Sequence, residues 1–239
     1  MKAKSKPDRA RHFVILGILF LSILIFSAPT QAVSLYYDFS QGMGTEFSFY
    51  NPSGQFNLDD TAGELRLTKP DGNTDDSLRL AKVVSDFLIG GNFDISVDYR
   101  LSLPLSDGDQ LEFELYGNNF IFFNVRSNES WLGGEQYHTF LGPRNIQPIP
   151  AIPTTDNKGS LRFVRESNII SAYFKYPNSE EYILIYSEIF DDIYVRLAMV
   201  IKNQPYNTSS LDASFYNLRI EADSVLYYPN EVKSNGKQR

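Results

Sequence analysis

Phe93-Asp94-Ile95-Ser96-Val97-Asp98-Tyr99-Arg100-Leu101 alternates apolar and polar residues without a break. A period of two puts Phe93, Ile95, Val97, Tyr99 and Leu101 on one face and Asp94, Ser96, Asp98 and Arg100 on the other. That is a β-strand with one side in a core, since a helix needs its apolar positions three and four apart. Leu111-Glu112-Phe113-Glu114-Leu115-Tyr116 repeats the pattern. Further strand-like runs occupy 64–68, 78–84, 120–127, 137–141, 160–166, 169–176, 181–186, 193–202 and 212–221. Turn chemistry separates them: Pro70-Asp71-Gly72-Asn73, Ser106-Asp107-Gly108-Asp109, Gly117-Asn118-Asn119, Ser167-Asn168 and Pro177-Asn178-Ser179. No amphipathic helix of even three turns is visible. Many short strands at regular spacing predict an all-β fold, a two-sheet antiparallel sandwich. A propeller is disfavoured because no blade-length repeat is present.

The run from 143 to 153 differs. Pro143, Pro148, Pro150 and Pro153 cannot sit in a central strand, so 142–159 reads as a long surface loop. At the start of the chain, Lys2, Lys4, Lys6, Arg9 and Arg11 precede an uncharged apolar run, 13–27, and Thr30-Gln31-Ala32 offers small residues for a peptidase. This order describes a secretory signal, 1–32, removed before Val33. An uncleaved anchor is the competing reading, though the run is shorter than the roughly 20 residues a spanning helix needs. The organisation expected is a signal, a β-sandwich domain over 33–228 and a polar tail over 229–239, with no membrane association once the signal is gone.

Charge narrows the partners. The signal holds five of the 22 Lys and Arg and one of the 29 Asp and Glu, so the 207 residues that remain carry 17 against 28, a net charge of −11. Nucleic acid and anionic membranes both need a basic footprint, and neither is expected as a partner. With no cysteine and one histidine beyond the signal, His138, thiolate sites and multi-histidine metal sites are excluded. Nothing near His138 has the form of a nucleophile elbow.

Several segments, in order, resemble the concanavalin A-like lectin/glucanase superfamily. They are Tyr37-Asp38-Phe39-Ser40, Glu64-Leu65-Arg66-Leu67, Gly91-Asn92-Phe93-Asp94-Ile95-Ser96-Val97-Asp98-Tyr99, Gly159-Ser160-Leu161-Arg162-Phe163-Val164-Arg165 and the closing run 211–220. The resemblance implies a jelly-roll β-sandwich and a carbohydrate ligand. Two departures stand out. The E-x-D-x-x-E run of the laminarinase-type hydrolases is missing, and Asp109-x-x-Glu112-x-Glu114 has the order reversed. Tyr216 stands where many relatives place a calcium-binding aspartate on the last strand.

The candidate site follows from the strand pattern. With 117–119 as a three-residue turn, Tyr116 pairs with Phe120, Glu114 with Phe122 and Glu112 with Asn124, and Arg126 joins that face. Asp98, Glu112, Glu114, Tyr116, Phe122, Asn124 and Arg126 then form one surface across 93–101, 111–116 and 120–127. Rings stack on the apolar face of a sugar, and carboxylates, amides and guanidinium groups hold its hydroxyls. The plain alternative is a solvated sheet face with scattered aromatics. Glu112 and Glu114 lie about 6.6–6.8 Å apart at Cα as neighbours on one strand face. That permits the carboxyl spacings of glycosidases, about 5–5.5 Å for retaining and 6.5–9.5 Å for inverting enzymes, as does any Glu-x-Glu on a strand. Trp131, beside Gly133-Gly134, is either a ligand-stacking ring or a loop anchor. Asp71-Gly72-Asn73-Thr74-Asp75-Asp76 fails as an EF-hand, with Asp76 and Lys82 where glycine and glutamate belong, which leaves a looser calcium cage or an acidic turn. No cofactor is required by any motif. The favoured function is a secreted, non-catalytic carbohydrate-binding or adhesion module. The alternatives are a divergent glycoside hydrolase using Glu112 and Glu114, and an extracytoplasmic structural protein without a sugar ligand.

Overall fold

The computed structural model describes residues 32–72, 79–118, 120–142, 149–204 and 207–227. The signal expected before Val33 and the tail over 229–239 lie outside them, as does most of the acidic turn after Gly72. In chain order the strands are β1 Val33–Tyr37, β2 Phe47–Tyr50, β3 Asn57–Asp59, β4 Leu65–Lys69, β5 Arg79–Ser85, β6 Phe87–Leu101, β7 Asp109–Tyr116 and β8 Ile121–Glu129. A single 3-10 turn, Ser130–Leu132, then precedes β9 Gly134–Gly142, β10 Ile149–Pro153, β11 Lys158–Glu166, β12 Ile169–Lys175, β13 Ile183–Ile189, β14 Tyr194–Asn203 and β15 Leu211–Tyr227. No helix among the described residues is long and apolar enough to cross a membrane.

Every strand pair is antiparallel, and the strands form two layers. The front sheet runs β2-β5-β14-β7-β8-β9-β10. In the back sheet β15 lies between β6 on one side and β4 and β1 on the other, and the order continues β6-β11-β12-β13. The layers are joined where β14 meets the start of β6, at Tyr194 opposite Gly90. The expected two-sheet sandwich is the fold observed.

Period two explains the core. Phe93, Ile95, Val97, Tyr99 and Leu101 on β6 are all buried, as the alternation requires. From the front sheet Leu111, Phe113 and Leu115 point at the same interior. The two layers interlock through rings: Phe113 and Phe122 lie 5.4 and 5.2 Å from Phe163 of β11, and Tyr137 stacks on Phe174 at 4.1 Å. A few polar groups enter this space and find partners there. Tyr99 and Tyr137 share a 2.5 Å hydroxyl hydrogen bond, and Asn124 Nδ2 donates to the carbonyl of Tyr173 at 2.8 Å.

Two expectations are corrected. The stretch 142–159 is not one loop, because β10 pairs with β9 and β11 begins at Lys158. β10 is the outermost strand of the front sheet, where an absent proline N–H breaks no interior ladder. The turn between β7 and β8 spans four residues, 117–120, closed by a hydrogen bond from the Gly117 N–H to the Phe120 carbonyl at 3.0 Å. Tyr116 therefore pairs with Ile121, and Glu114 with Phe123. That single residue moves every side chain of β8 to the opposite face from the one expected.

Candidate functional site

The register decides which side chains meet on the outer face of the front sheet. Cross-strand rows there read Lys202, Gln110, Ser127, Gln136, then Val200, Glu112, Val125, His138, then Ala198, Glu114, Phe123, Phe140. β7 lies at the middle of this sheet, so Gln110, Glu112, Glu114 and Tyr116 form its central ridge.

Of the expected surface, the structure brings together Glu112, Glu114 and Tyr116 only. Phe122 is fully buried between the sheets, against Phe163 and Phe190. Asn124 also points inward, to the backbone of β11 and β12. Arg126 is buried beside Tyr137, paired with Glu135 and donating to the carbonyls of Ser127 and Asp156. All three were placed outside by the three-residue turn, and the four-residue turn sends them in. Asp98 does face outward, but from the back sheet, where its carboxylate accepts a 3.0 Å hydrogen bond from Asn217. The strand 93–101 belongs to the other layer and cannot share a surface with β7.

Glu112 and Glu114 are not the accessible pair their pattern suggests. They are only 2% and 1% exposed. Lys202 reaches Glu112 at 3.4 Å and Lys82 reaches Glu114 at 3.4 Å, each lysine lying partly exposed over its glutamate. Lys82 and Glu114 also both hydrogen-bond the Tyr116 hydroxyl. Burial, followed by the charge of Glu112 and a hydrogen bond to it, pushes the Glu114 carboxyl up to about 8. Glu114 therefore keeps its proton to a higher pH than an exposed glutamate does. Burial likewise pushes His138 down to about 4, so the ring is neutral. Its Nδ1 meets the Ser127 hydroxyl at 3.3 Å, and its Nε2 has no partner.

Two clefts flank the ridge. One, of about 340 Å³, is lined by Gln110, Glu112, Glu129, Trp131, Phe140 and Lys202, among others. Trp131 is 60% exposed, and its indole N–H donates to Glu129 Oε2 at 2.7 Å, which fixes the ring's orientation. Gln110 donates to the other oxygen of Glu129, and its own carbonyl oxygen is buried without a partner. The second cleft, of about 490 Å³, lies at the Tyr116 end and includes Tyr50, Lys82, Tyr194 and Arg196. Sequence reasoning missed Gln110, Lys82, Lys202 and Arg196. The alternation within 78–84 and 193–202 marks Lys82 and Lys202 as outward, but nothing local says that these strands flank β7. Among the described residues no group of three or more His, Asp and Glu is placed to hold a metal, and most of the acidic turn lies outside them.

No protein-family description matches the sequence, and no curated protein does. Solved structures do. The metal-free lectin I-B4 from Griffonia simplicifolia is 16% identical, with a TM-score of 0.57 over 81% of this chain and 99% of the lectin. The fold is that of the concanavalin A-like lectins and glucanases. A β-1,3-glucanase from Mycobacterium marinum superposes at 0.56, 8% identical, over 78% of this chain and 97% of the glucanase. A GH43 protein from Bacillus licheniformis gives 0.58 at 14% identity, and this chain spans 39% of its length. At such identities the likeness concerns the concanavalin A-like architecture alone, which these lectins and hydrolases share.

Proposed function

We propose that this protein is a secreted, non-catalytic glycan-binding module whose ligand lies along the outer face of the front sheet. The observation that carries the reading is the Trp131 cleft. An exposed ring, held in one orientation by Glu129, stands beside a buried acceptor, Gln110 Oε1, that no protein group satisfies. A sugar offers both an apolar face for the ring and hydroxyl donors for the acceptor. Trp131→Ala, which removes a surface side chain, is expected to leave the fold intact. It should weaken glycan binding about tenfold, measured by calorimetry on ligands found with a glycan array. Unchanged affinity would remove the basis of this reading.

The non-catalytic part rests on the acid pair. Each carboxyl is already engaged by a lysine at 3.4 Å, Glu112 by Lys202 and Glu114 by Lys82. Their near-complete burial also keeps them from a glycosidic oxygen. One observation favours the hydrolase reading instead, namely a Glu114 held protonated near neutral pH beside a second carboxyl. Reducing-sugar release from β-glucans that vanished in both Glu112→Gln and Glu114→Gln would establish it. The expected result is no release by the wild type.

A further inference from the structure

The two clefts differ in charge. Around Trp131 the cation Lys202 faces two carboxylates, Glu112 and Glu129. In the larger cleft the walls carry two cations, Lys82 and Arg196, three tyrosines, Tyr50, Tyr116 and Tyr194, and, among the described residues, no carboxylate. Glu114 is 1% exposed beneath Lys82. The Asp192 carboxylate stands at the Gly117–Asn118 edge of the lining, where it accepts the Asn118 N–H at 2.9 Å.

Lys82 lies on the cleft wall, 3.4 Å from Glu114 and 20% exposed. A chain of net charge −7 presents, at the end of its central ridge, a ring-walled recess whose lining carries an ammonium and a guanidinium. An ammonium and a guanidinium in a partly dry recess are donors matched to an anionic oxygen group. The tyrosines supply the apolar faces on which a pyranose lies.

We infer that the Lys82–Arg196 cleft takes the carboxylate of an acidic sugar, so that the ligand is a glycan containing uronic acid whose further rings run toward Trp131. This rests on the glycan-binding reading above and adds the ligand's charge to it. The two predict different failures.

The test pairs uronic-acid oligosaccharides with their carboxyl-reduced counterparts, which keep ring, linkage and length and lose only the charge. Oligogalacturonates, oligoglucuronates and oligomannuronates serve as probes, titrated calorimetrically into the protein. At least one acidic oligosaccharide should bind about tenfold or more tighter than its reduced form. Raising salt from about 50 to about 500 mM should narrow that gap. Lys82→Met and Arg196→Gln should each remove most of the gap while leaving affinity for the reduced form within about twofold. Equal binding of the acidic and reduced forms overturns the inference and leaves the glycan-binding reading standing. Binding of neither, by protein that keeps its strand circular dichroism, overturns both. The wild-type comparison decides the question even if one variant fails to fold.

Discussion

Among single residues, the expensive one is Glu114. A carboxyl on an outer sheet face is ordinarily solvated, yet this one lies beneath Lys82 and against Glu112, and its titration moves from 4.5 to about 8. A raised folded value means the native state holds a proton that the unfolded chain has released. Stability attributable to Glu114 is therefore intact below about pH 4.5 and falls as pH rises toward 8. Glu114→Gln keeps shape and hydrogen-bonding capacity without a titrating proton. Urea unfolding of both proteins at several pH values between 5 and 9 should show the wild type losing stability relative to the variant as pH rises. A constant difference would mean that Glu114 is not the group carrying the proton. Phe122 and Tyr116, once expected side by side, now predict opposite outcomes. Phe122→Ala empties a fully buried ring site and should cost about 3–5 kcal/mol. Tyr116→Phe removes only a hydroxyl that joins Lys82 to Glu114 and should leave the protein folded. Denaturant midpoints separate the two.

At the scale of elements, the joint between the sheets depends on a glycine pair in β6. Gly90 faces Tyr194 of β14 and Ser224 of β15, and the next residue, Gly91, has φ of 73°. A Cβ on Gly91 would stand 2.5 Å from the Asp223 side chain. Gly91→Ala combines that clash with left-handed strain, and a loss of roughly 1–3 kcal/mol in urea unfolding is expected. This joint was not legible in advance. Each strand could be read from its own alternation, but which strands are neighbours depends on pairings far apart in the chain, such as β7 with β14. Of the two strand relations expected, 93–101 beside β7 fails because that strand belongs to the other layer, and the pairing of β7 with β8 fails by one residue. The reason lies in Ile121-Phe122-Phe123-Asn124-Val125, which is apolar on both faces and so sets no register of its own. Polar Asn124 and Arg126 suggested an outer face because their inward partners, the carbonyls of Tyr173 and Asp156, are backbone groups that no side-chain pattern announces. What survived of the site, Glu112, Glu114 and Tyr116, sits on β7, where Leu111, Phe113 and Leu115 alternate with the glutamates and set the two faces apart. Trp131 was visible as a candidate, and only its exposure in the folded chain chose between the two roles open to it.

On the scale of the whole molecule, the boundary expected before Val33 falls at the first residue of β1. β1 begins there, pairs along its whole length with β15 from Ala222 to Leu218, and sends Leu35 and Tyr37 partly into the core. The Tyr37 ring lies edge-on to Phe47 at 5.0 Å. Residues 32–239 form one compact unit, so removal of the first 32 residues should leave a complete fold, and secreted material should begin at or near Val33 on N-terminal sequencing. The same geometry sets a sharp limit on further trimming. Deleting β1 as well would bare the edge of β15 opposite β6 and withdraw two half-buried apolar side chains. The expected cost is roughly 2–4 kcal/mol at the usual 1.5–3 kcal/mol for full burial of each. Against the 5–15 kcal/mol that stabilises a typical domain, that is a large share. A chain beginning at Val33 is therefore expected to unfold in one cooperative urea transition. One beginning at Asp38 should unfold well below it, with a smaller m-value if the β15 edge frays. Equal midpoints for the two truncations would show that β1 contributes nothing to the sandwich, and a Val33 start that failed to fold would place the domain boundary earlier in the chain.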